Sequence, residues 1–308
     1  MLDLLCLGNI TIDDIALWDA SERLGCLGGD AVYAGLAARL WSRDVAIIAP
    51  VGNDFAAAQF ARVTAAGFDP AGLPRRAVAT RHNKVTYDAD GGRSWRVLTP
   101  PNDFAQLSPV TADIPARLLD TRFALVLAMD LAAQEELVAE LKRLELPVAL
   151  DPQEDYIAGN EARILDMLGS VDVFLPSEIE VERLVGHRNI ERAARQFAEC
   201  GCAIVAIKLG AKGVVVYDAT ADSFLGAAPA PATVIDTTGA GDSFSGGFMA
   251  VFAQSRDLAA ATTAGLVAAA FAIEDFGSAP LFDVTREQAA ERLAQLHATA
   301  PLSSGAIA

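Results

Sequence analysis

The chain has 308 residues, 52% hydrophobic and 21% charged, and a net charge of −16. This is long enough for a large core and fits a globular α/β protein. The acidic balance argues against nucleic-acid or anionic-membrane binding, both of which need basic faces. The Met-Leu-Asp-Leu-Leu-Cys start has no basic n-region, and the longest apolar run, 258–273, is too short to span a bilayer, so a cytoplasmic protein is expected. Four cysteines (Cys6, Cys26, Cys200, Cys202) and three histidines (His82, His187, His297) show no metal-ligand or redox spacing and read as structural or surface residues.

In chain order, residues 4–8 form an apolar run expected as a buried strand. Asn9, Thr11, Asp13 and Asp14 follow, at the strand end where ligands bind in open α/β sheets. Asp13 there reads as an acceptor for substrate hydroxyls or, equally, as turn chemistry. Gly28-Gly29-Asp30 precedes a helix over 32–40, and the paired glycines permit close backbone approach to a small ligand. A strand is expected over 45–49, then the step Val51-Gly52-Asn53-Asp54, then a helix over 60–66 stopped by Gly67. Between 80 and 100 the β-formers Val85, Tyr87, Trp95, Val97 and Leu98 surround a turn at 88–92 and predict a hairpin. With residues 12–18 it would make a small sheet outside the core; a surface hairpin without function is the alternative.

Beyond residue 100, strands are expected at 123–128, 147–150, 171–175 and 203–209, and helices at 134–144, 160–168, 179–185 and 190–200. An antiparallel pair starts at 214–217. The alternation predicts a doubly wound, mostly parallel sheet flanked by helices. Asp130, Asp151 and Lys208 stand at strand ends, and Ser177 with Glu178 and Glu180 reads as a helix N-cap with acids in the first turn. The tail 301–308 is small, polar and expected to be loose.

The most informative stretch is 234–252. A short apolar step, Val234-Ile235, turns through Asp236-Thr237-Thr238-Gly239-Ala240-Gly241-Asp242 into a small-residue helix from 244. Glycines there admit a ligand to the backbone, and successive N–H groups at a helix start attract phosphate. Asp242, at the mouth of that site, is placed to take a proton from an attacking hydroxyl. Asp and Ser are also ordinary caps, and Gly-Ala-Gly an ordinary turn.

The longer string through Ser243-Phe244 and Gly246-Gly247-Phe248 resembles, almost letter for letter, the C-terminal signature of the ribokinase-like (PfkB) carbohydrate kinases. The resemblance implies one ribokinase-like α/β domain over 1–308, with lid strands at about 12–27 and 80–100. It implies ATP-dependent phosphorylation of a hydroxyl on a sugar or sugar-like molecule, with Mg²⁺. In that reading Asp242 is the base, and Gly239, Ala240 and Gly241 form the anion hole. Asp13, Gly28, Gly29, Asp30 and Asp130 would face the substrate, and Ser177, Lys208, Gly210, Gly213 and Gly277 the ATP. Glu180 would organise Mg²⁺ through water, and Asp236 would border a monovalent cation, potassium. A lid with bare strand edges makes a homodimer the expected partner arrangement.

The chain departs from the family pattern in places. Asp30 stands where ribokinases carry Lys, and Val32 and Tyr33 where the family often has Asn. Ser177 replaces the Asn of Asn-x-x-Glu, and Asp151-Pro152-Gln153-Glu154 lacks the usual basic residue. Two other readings therefore stand beside the first: a nucleoside kinase, which an aromatic surface near Tyr33 or in the lid would favour, and a non-catalytic sugar or nucleotide sensor. Asp242, at a helix start, is expected to have a low pKa. No P-loop occurs, and no Gly-x-Gly-x-x-Gly follows the first strand, so P-loop hydrolases and nicotinamide dehydrogenases lack support.

Overall fold

The computed structural model describes residues 1–89, 92–99, 104–299 and 303–304. The first elements are β1 (Leu4–Leu7), β2 (Thr11–Ala16), β3 (Glu22–Gly28), α1 (Asp30–Arg39), β4 (Val45–Ile48), β5 (Val51–Gly52), α2 (Ala57–Ala65), β6 (Arg75–Arg76), β7 (Arg81–Tyr87) and β8 (Arg93–Val97). Next come β9 (Ala124–Val126), α3 (Leu131–Arg143), β10 (Val148–Leu150), α4 (Glu161–Met167), β11 (Val173–Phe174), α5 (Glu178–Val185), α6 (Ile190–Glu199), β12 (Ile204–Lys208), β13 (Val214–Asp218) and β14 (Ser223–Ala227). The last are α7 (Ala240–Ser255), α8 (Leu258–Ala272), α9 (Ala279–Asp283), α10 (Arg286–Thr299) and β15 (Ser303–Ser304).

The main sheet has the order β15-β14-β13-β12-β11-β10-β9-β1-β4. Strands β4 through β12 along that order are parallel, and the pairs β12–β13, β13–β14 and β14–β15 are antiparallel. This is the doubly wound, mostly parallel architecture expected from the alternation. Leu4, Leu5, Leu7, Ile47 and Ile48 are fully enclosed. Helices cover both faces, so these strands read as unbroken apolar runs. One face packs on α1, α7 and α8, and the other on α3, α5 and α6. Local chemistry starts the helices: Asp130 caps α3, Asn189 caps α6 and Asp257 caps α8. Each such cap is worth about 1 kcal/mol.

The strands expected as a lid form a separate sheet of order β3-β2-β7-β8, with β2 parallel to β7 and the other pairs antiparallel. Ile15, Cys26, Val85 and Tyr87 fill its inner face. Trp18, Leu24, Trp95 and Val97 remain exposed, and β8 is exposed along its whole length. Of the expected 88–92 turn, Asp90 and Gly91 lie outside the described residues, as does most of the 301–308 tail. The tail was expected to be loose, yet Ser303 and Ser304 pair with β14. Among the described residues no helix is long and apolar enough to cross a membrane.

Small residues let α1, α7 and α8 approach closely. A Cβ at Gly246 would lie 2.0 Å from the Ala34 carbonyl oxygen in α1, and one at Gly247 would lie 2.9 Å from the Ala268 Cβ in α8. The first clash is with backbone and cannot be relieved by a rotamer change. Gly246→Ala is expected to lower unfolding free energy by about 1–3 kcal/mol, the usual range for overpacking. Urea unfolding checks this; a variant as stable as the parent would contradict this packing.

Candidate active site

The close packing of α1 and α7 brings their N-terminal ends together. At the start of α7, Gly239 has φ 74°. A Cβ there would lie 2.2 Å from Cδ1 of the buried Tyr33 ring, so both conformation and space require glycine. The N–H groups of Ala240, Gly241 and Asp242 precede the first intrahelical bond, from Ser243 N–H to Gly239 O at 2.9 Å. Ala240 N–H donates back to the Thr237 carbonyl at 3.3 Å, those of Gly241 and Asp242 have no acceptor within the helix by its geometry, and all three sit at the positive end of its dipole. Asp236 shapes the approach to this turn. Its carboxylate accepts from the Tyr87 hydroxyl at 2.7 Å, Thr238 N–H at 2.9 Å and Gly277 N–H at 2.8 Å.

Asp242 is not the low-pKa carboxylate that its helix position predicts. Its pKa is pushed up to about 6, mainly by burial and then by the charge of Asp151; Lys208 and Arg93 oppose the shift. Desolvation outweighs the helix dipole here. Asp30, the first residue of α1, accepts from Asn9 N–H at 2.8 Å and from Asn9 Nδ2 at 3.3 Å. Burial and the neighbouring charge of Asp242 hold its carboxyl well above the usual range. Asp13 is 1% exposed and accepts from Asn83 Nδ2 at 2.8 Å and from Thr11 Oγ1 at 2.9 Å. Burial pushes it up to about 6 against those two donors, and Asp236 adds to the rise. A Cβ at Gly8 would lie 1.8 Å from Asp30 Oδ1, and one at Gly28 would lie 2.1 Å from Asp13 Oδ2. Asp30 and Asp242 thus meet where α1 and α7 start, while Asp13 lies in β2 against Gly28, next to the Gly29 cap of α1.

A second cluster lies at the ends of β10, β12 and α5. Lys208 Nζ pairs with Asp151 Oδ2 at 2.6 Å, and Ser245 Oγ donates to the same oxygen at 2.7 Å. Burial works against the Lys208 charge, but Asp151 and Glu180 keep its pKa raised. A Cβ at Gly241 would be 3.5 Å from Lys208 Nζ, so this cation sits beside the helix start. Ser177 and Glu180 form a capping box: Ser177 N–H donates to Glu180 Oε2 at 2.6 Å, and Glu180 N–H to Ser177 Oγ at 3.3 Å. Burial pushes Glu180 up to about 7; Lys208 opposes this and Asp151 adds to it. No group of three or more His, Cys, Asp or Glu among the described residues is placed to hold a metal ion. Glu180, fixed by Ser177 beside Lys208 and Asp151, is a single carboxylate that would suit a Mg²⁺ ion held mainly by phosphate oxygens and water. Gly210 has φ 58° and open space where a side chain would be, whereas a Cβ at Gly213 would meet the Ala227 carbonyl.

Asp130 has one carboxylate oxygen in use as a helix cap. Its Oδ1 caps α3, accepting from Ala132 N–H at 3.1 Å and Ala133 N–H at 3.3 Å. Tyr33 is 1% exposed and offers no stacking face. Sequence reading did not assign Asn83, Tyr87, Arg93 or Ser245 to the site. Period-two alternation in β7 was the available signal, since it puts Asn83, Val85 and Tyr87 on one buried face.

A family model described as pfkB family carbohydrate kinase matches residues 26–283. A cytidine kinase of Thermococcus kodakarensis is 27% identical over 279 residues, 90% of this chain and 98% of its own. A deoxyribokinase of Salmonella typhi is 28% identical, covering 83% of this chain and 84% of its own. Among solved structures, an E. coli protein described as a ribokinase II, in complex with ATP and Mg²⁺, superposes with a TM-score of 0.79 at 22% identity. It covers 96% of this chain and all of its own.

Asp13 gives a test of the buried carboxylates. Its folded pKa of about 6 lies above the ordinary aspartate value of 3.8, so ionisation opposes folding, fully above pH 6 and not at all below pH 4. Asp13→Asn is expected to stabilise the free protein at pH 8 by up to about 3 kcal/mol. The gain should fade as pH falls from 6 to 4. Denaturant unfolding at the two pH values checks this, and a pH-independent effect would contradict it.

Proposed function

Because the chain belongs to the pfkB family of carbohydrate kinases, we propose that it transfers the γ-phosphoryl group of ATP to a hydroxyl of an uncharged sugar or sugar-like acceptor. The observation that carries this reading is Asp242 beside the first-turn N–H groups of α7, with Lys208 adjoining. The acceptor oxygen forms the new bond to the γ-phosphorus, the bond to the bridging oxygen breaks, and ADP leaves. The acceptor proton passes to Asp242 as transfer proceeds. With a pKa of about 6, Asp242 is ionised at neutral pH and more basic than an exposed aspartate. The N–H groups of Ala240 and Gly241 hold the transferring oxygens. Mg²⁺, when bound, neutralises phosphate charge, and Glu180 orients its water shell.

Asp30 and Asp242, close enough that the charge of Asp242 raises the proton affinity of Asp30, favour an acceptor without phosphate or carboxylate, since like charges repel strongly where they are poorly hydrated. Asp13 accepts from acceptor hydroxyls, and Gly28 and Gly29 let the ligand lie against backbone. Asp130 joins this set only through its second oxygen. Gly210, Gly213 and Gly277 border the nucleotide. A nucleoside acceptor is the second reading. The cytidine kinase match along nearly the whole relative favours it, and Trp95 of the lid, 49% exposed, supplies an aromatic face. The sensor reading is weaker, because Ser177 keeps the capping geometry that sets Glu180. The exposed Trp18, Leu24 and Trp95 favour pairing of two lids in a homodimer, and dependence on ATP favours the cytoplasm.

Release of ADP across pentoses, hexoses, polyols, nucleosides and sugar phosphates is expected for an uncharged acceptor and absent for sugar phosphates. Asp242→Asn should lower turnover by roughly 10²- to 10⁴-fold. Protonated Asp242 cannot accept the proton, so kcat/KM should fall about tenfold per unit below pH 6. Full activity in the variant, or a flat profile from pH 5 to 7, would refute the assignment of Asp242 as base.

A further inference from the structure

Asp236 was expected to border potassium, and protein donors already occupy both of its oxygens. A monovalent cation takes oxygen lone pairs. Asp236 is 1% exposed and faces donors instead, with Tyr87 and Thr238 N–H on Oδ1 and Gly277 N–H on Oδ2. The Tyr87 oxygen also lies 3.2 Å from Thr237 Oγ1 and 3.0 Å from Thr238 Oγ1. A single hydroxyl therefore meets three consecutive residues, and the next in the chain is Gly239, the cap of α7. Tyr87 itself is 7% exposed and ends β7, the lid strand whose Asn83 holds Asp13. The same strand thus touches both the acceptor side and the anion-hole side.

We propose that the Tyr87 hydroxyl takes the place of the monovalent cation, and that Tyr87 is a positioning residue tying the lid to the anion-hole loop. It touches no reacting atom in this account. It fixes Asp236, Thr237 and Thr238, and through them the direction of the Ala240 and Gly241 N–H groups. Acceptor binding under the lid then orders the phosphate site through this one side chain, and no dissolved potassium is needed. The catalytic part of this inference rests on the kinase reading; the coupling does not.

The test compares amide hydrogen exchange of residues 237–242 and of β7 in the parent protein and Tyr87→Phe, each in potassium and in choline chloride at equal ionic strength. The parent should show the same exchange and the same melting temperature in both salts. In Tyr87→Phe, exchange of the hydrogen-bonded amides of this loop, Thr238 to Asp236 and Ala240 to Thr237, should quicken by about 10- to 100-fold, the usual worth of a hydrogen bond to a charged group. Protection in β1 should be kept, which shows that the variant is folded. Given a turned-over acceptor, kcat should fall by a similar factor while KM for ATP stays within about twofold, a split that a merely structural lesion would not give. Stabilisation or activation of the parent by potassium over choline would overturn the cation part without any variant. Unchanged exchange at 237–242 in Tyr87→Phe would overturn the coupling. If the parent phosphorylates nothing, the kinase reading falls alone and the exchange data still decide.

Discussion

The site depends on the absence of a side chain where α7 crosses α1. With no Cβ at Gly246, the helix backbone lies against the Ala34 carbonyl, and the two N-terminal ends come side by side. Burial raises the proton affinity of both Asp30 and Asp242, and the charge of Asp242 raises that of Asp30 further. A protein selected for stability alone would not bury carboxyl groups beside one another. Their arrangement is understandable if an acceptor rich in hydroxyl donors is to be held there and deprotonated.

The second constraint is the lid. It packs few core residues of its own: Ile15, Cys26, Val85 and Tyr87. It meets the main body through Tyr87 to Asp236, Ser278 to the Leu27 carbonyl and Phe276 against its apolar face. An element with so small a core of its own is one whose position can respond to what is bound. That suits a kinase, which must exclude water when the phosphoryl group is in transit.

Much of this was legible in the sequence. Apolar runs alternating with helical periods specify a parallel sheet, and the string from Asp236 to Phe248 carries the turn, the helix start and its acid together. Asp13 and Lys208 could be placed at strand ends because ligands gather there. The missing parts are non-local. The Lys208–Asp151 pair joins residues 57 apart, and the Tyr87–Asp236 bond joins residues 149 apart. The pKa of Asp242 was misjudged in sign because a helix dipole is visible in sequence while burial and Asp151 are not. Helices α9 and α10 went unnoticed: the first is a five-residue segment, and the second begins among charged residues.

The most direct measurement is a crystal structure with Mg-ADP, aluminium fluoride and the acceptor found by turnover. The account predicts the planar fluoride within hydrogen-bond reach of the Ala240 and Gly241 N–H groups, in line with an acceptor hydroxyl that also touches Asp242. It predicts Lys208 close to the nucleotide phosphates and Asp13 on a different hydroxyl of the acceptor. A fluoride bound away from the start of α7, or an acceptor hydroxyl out of reach of Asp242, would contradict it.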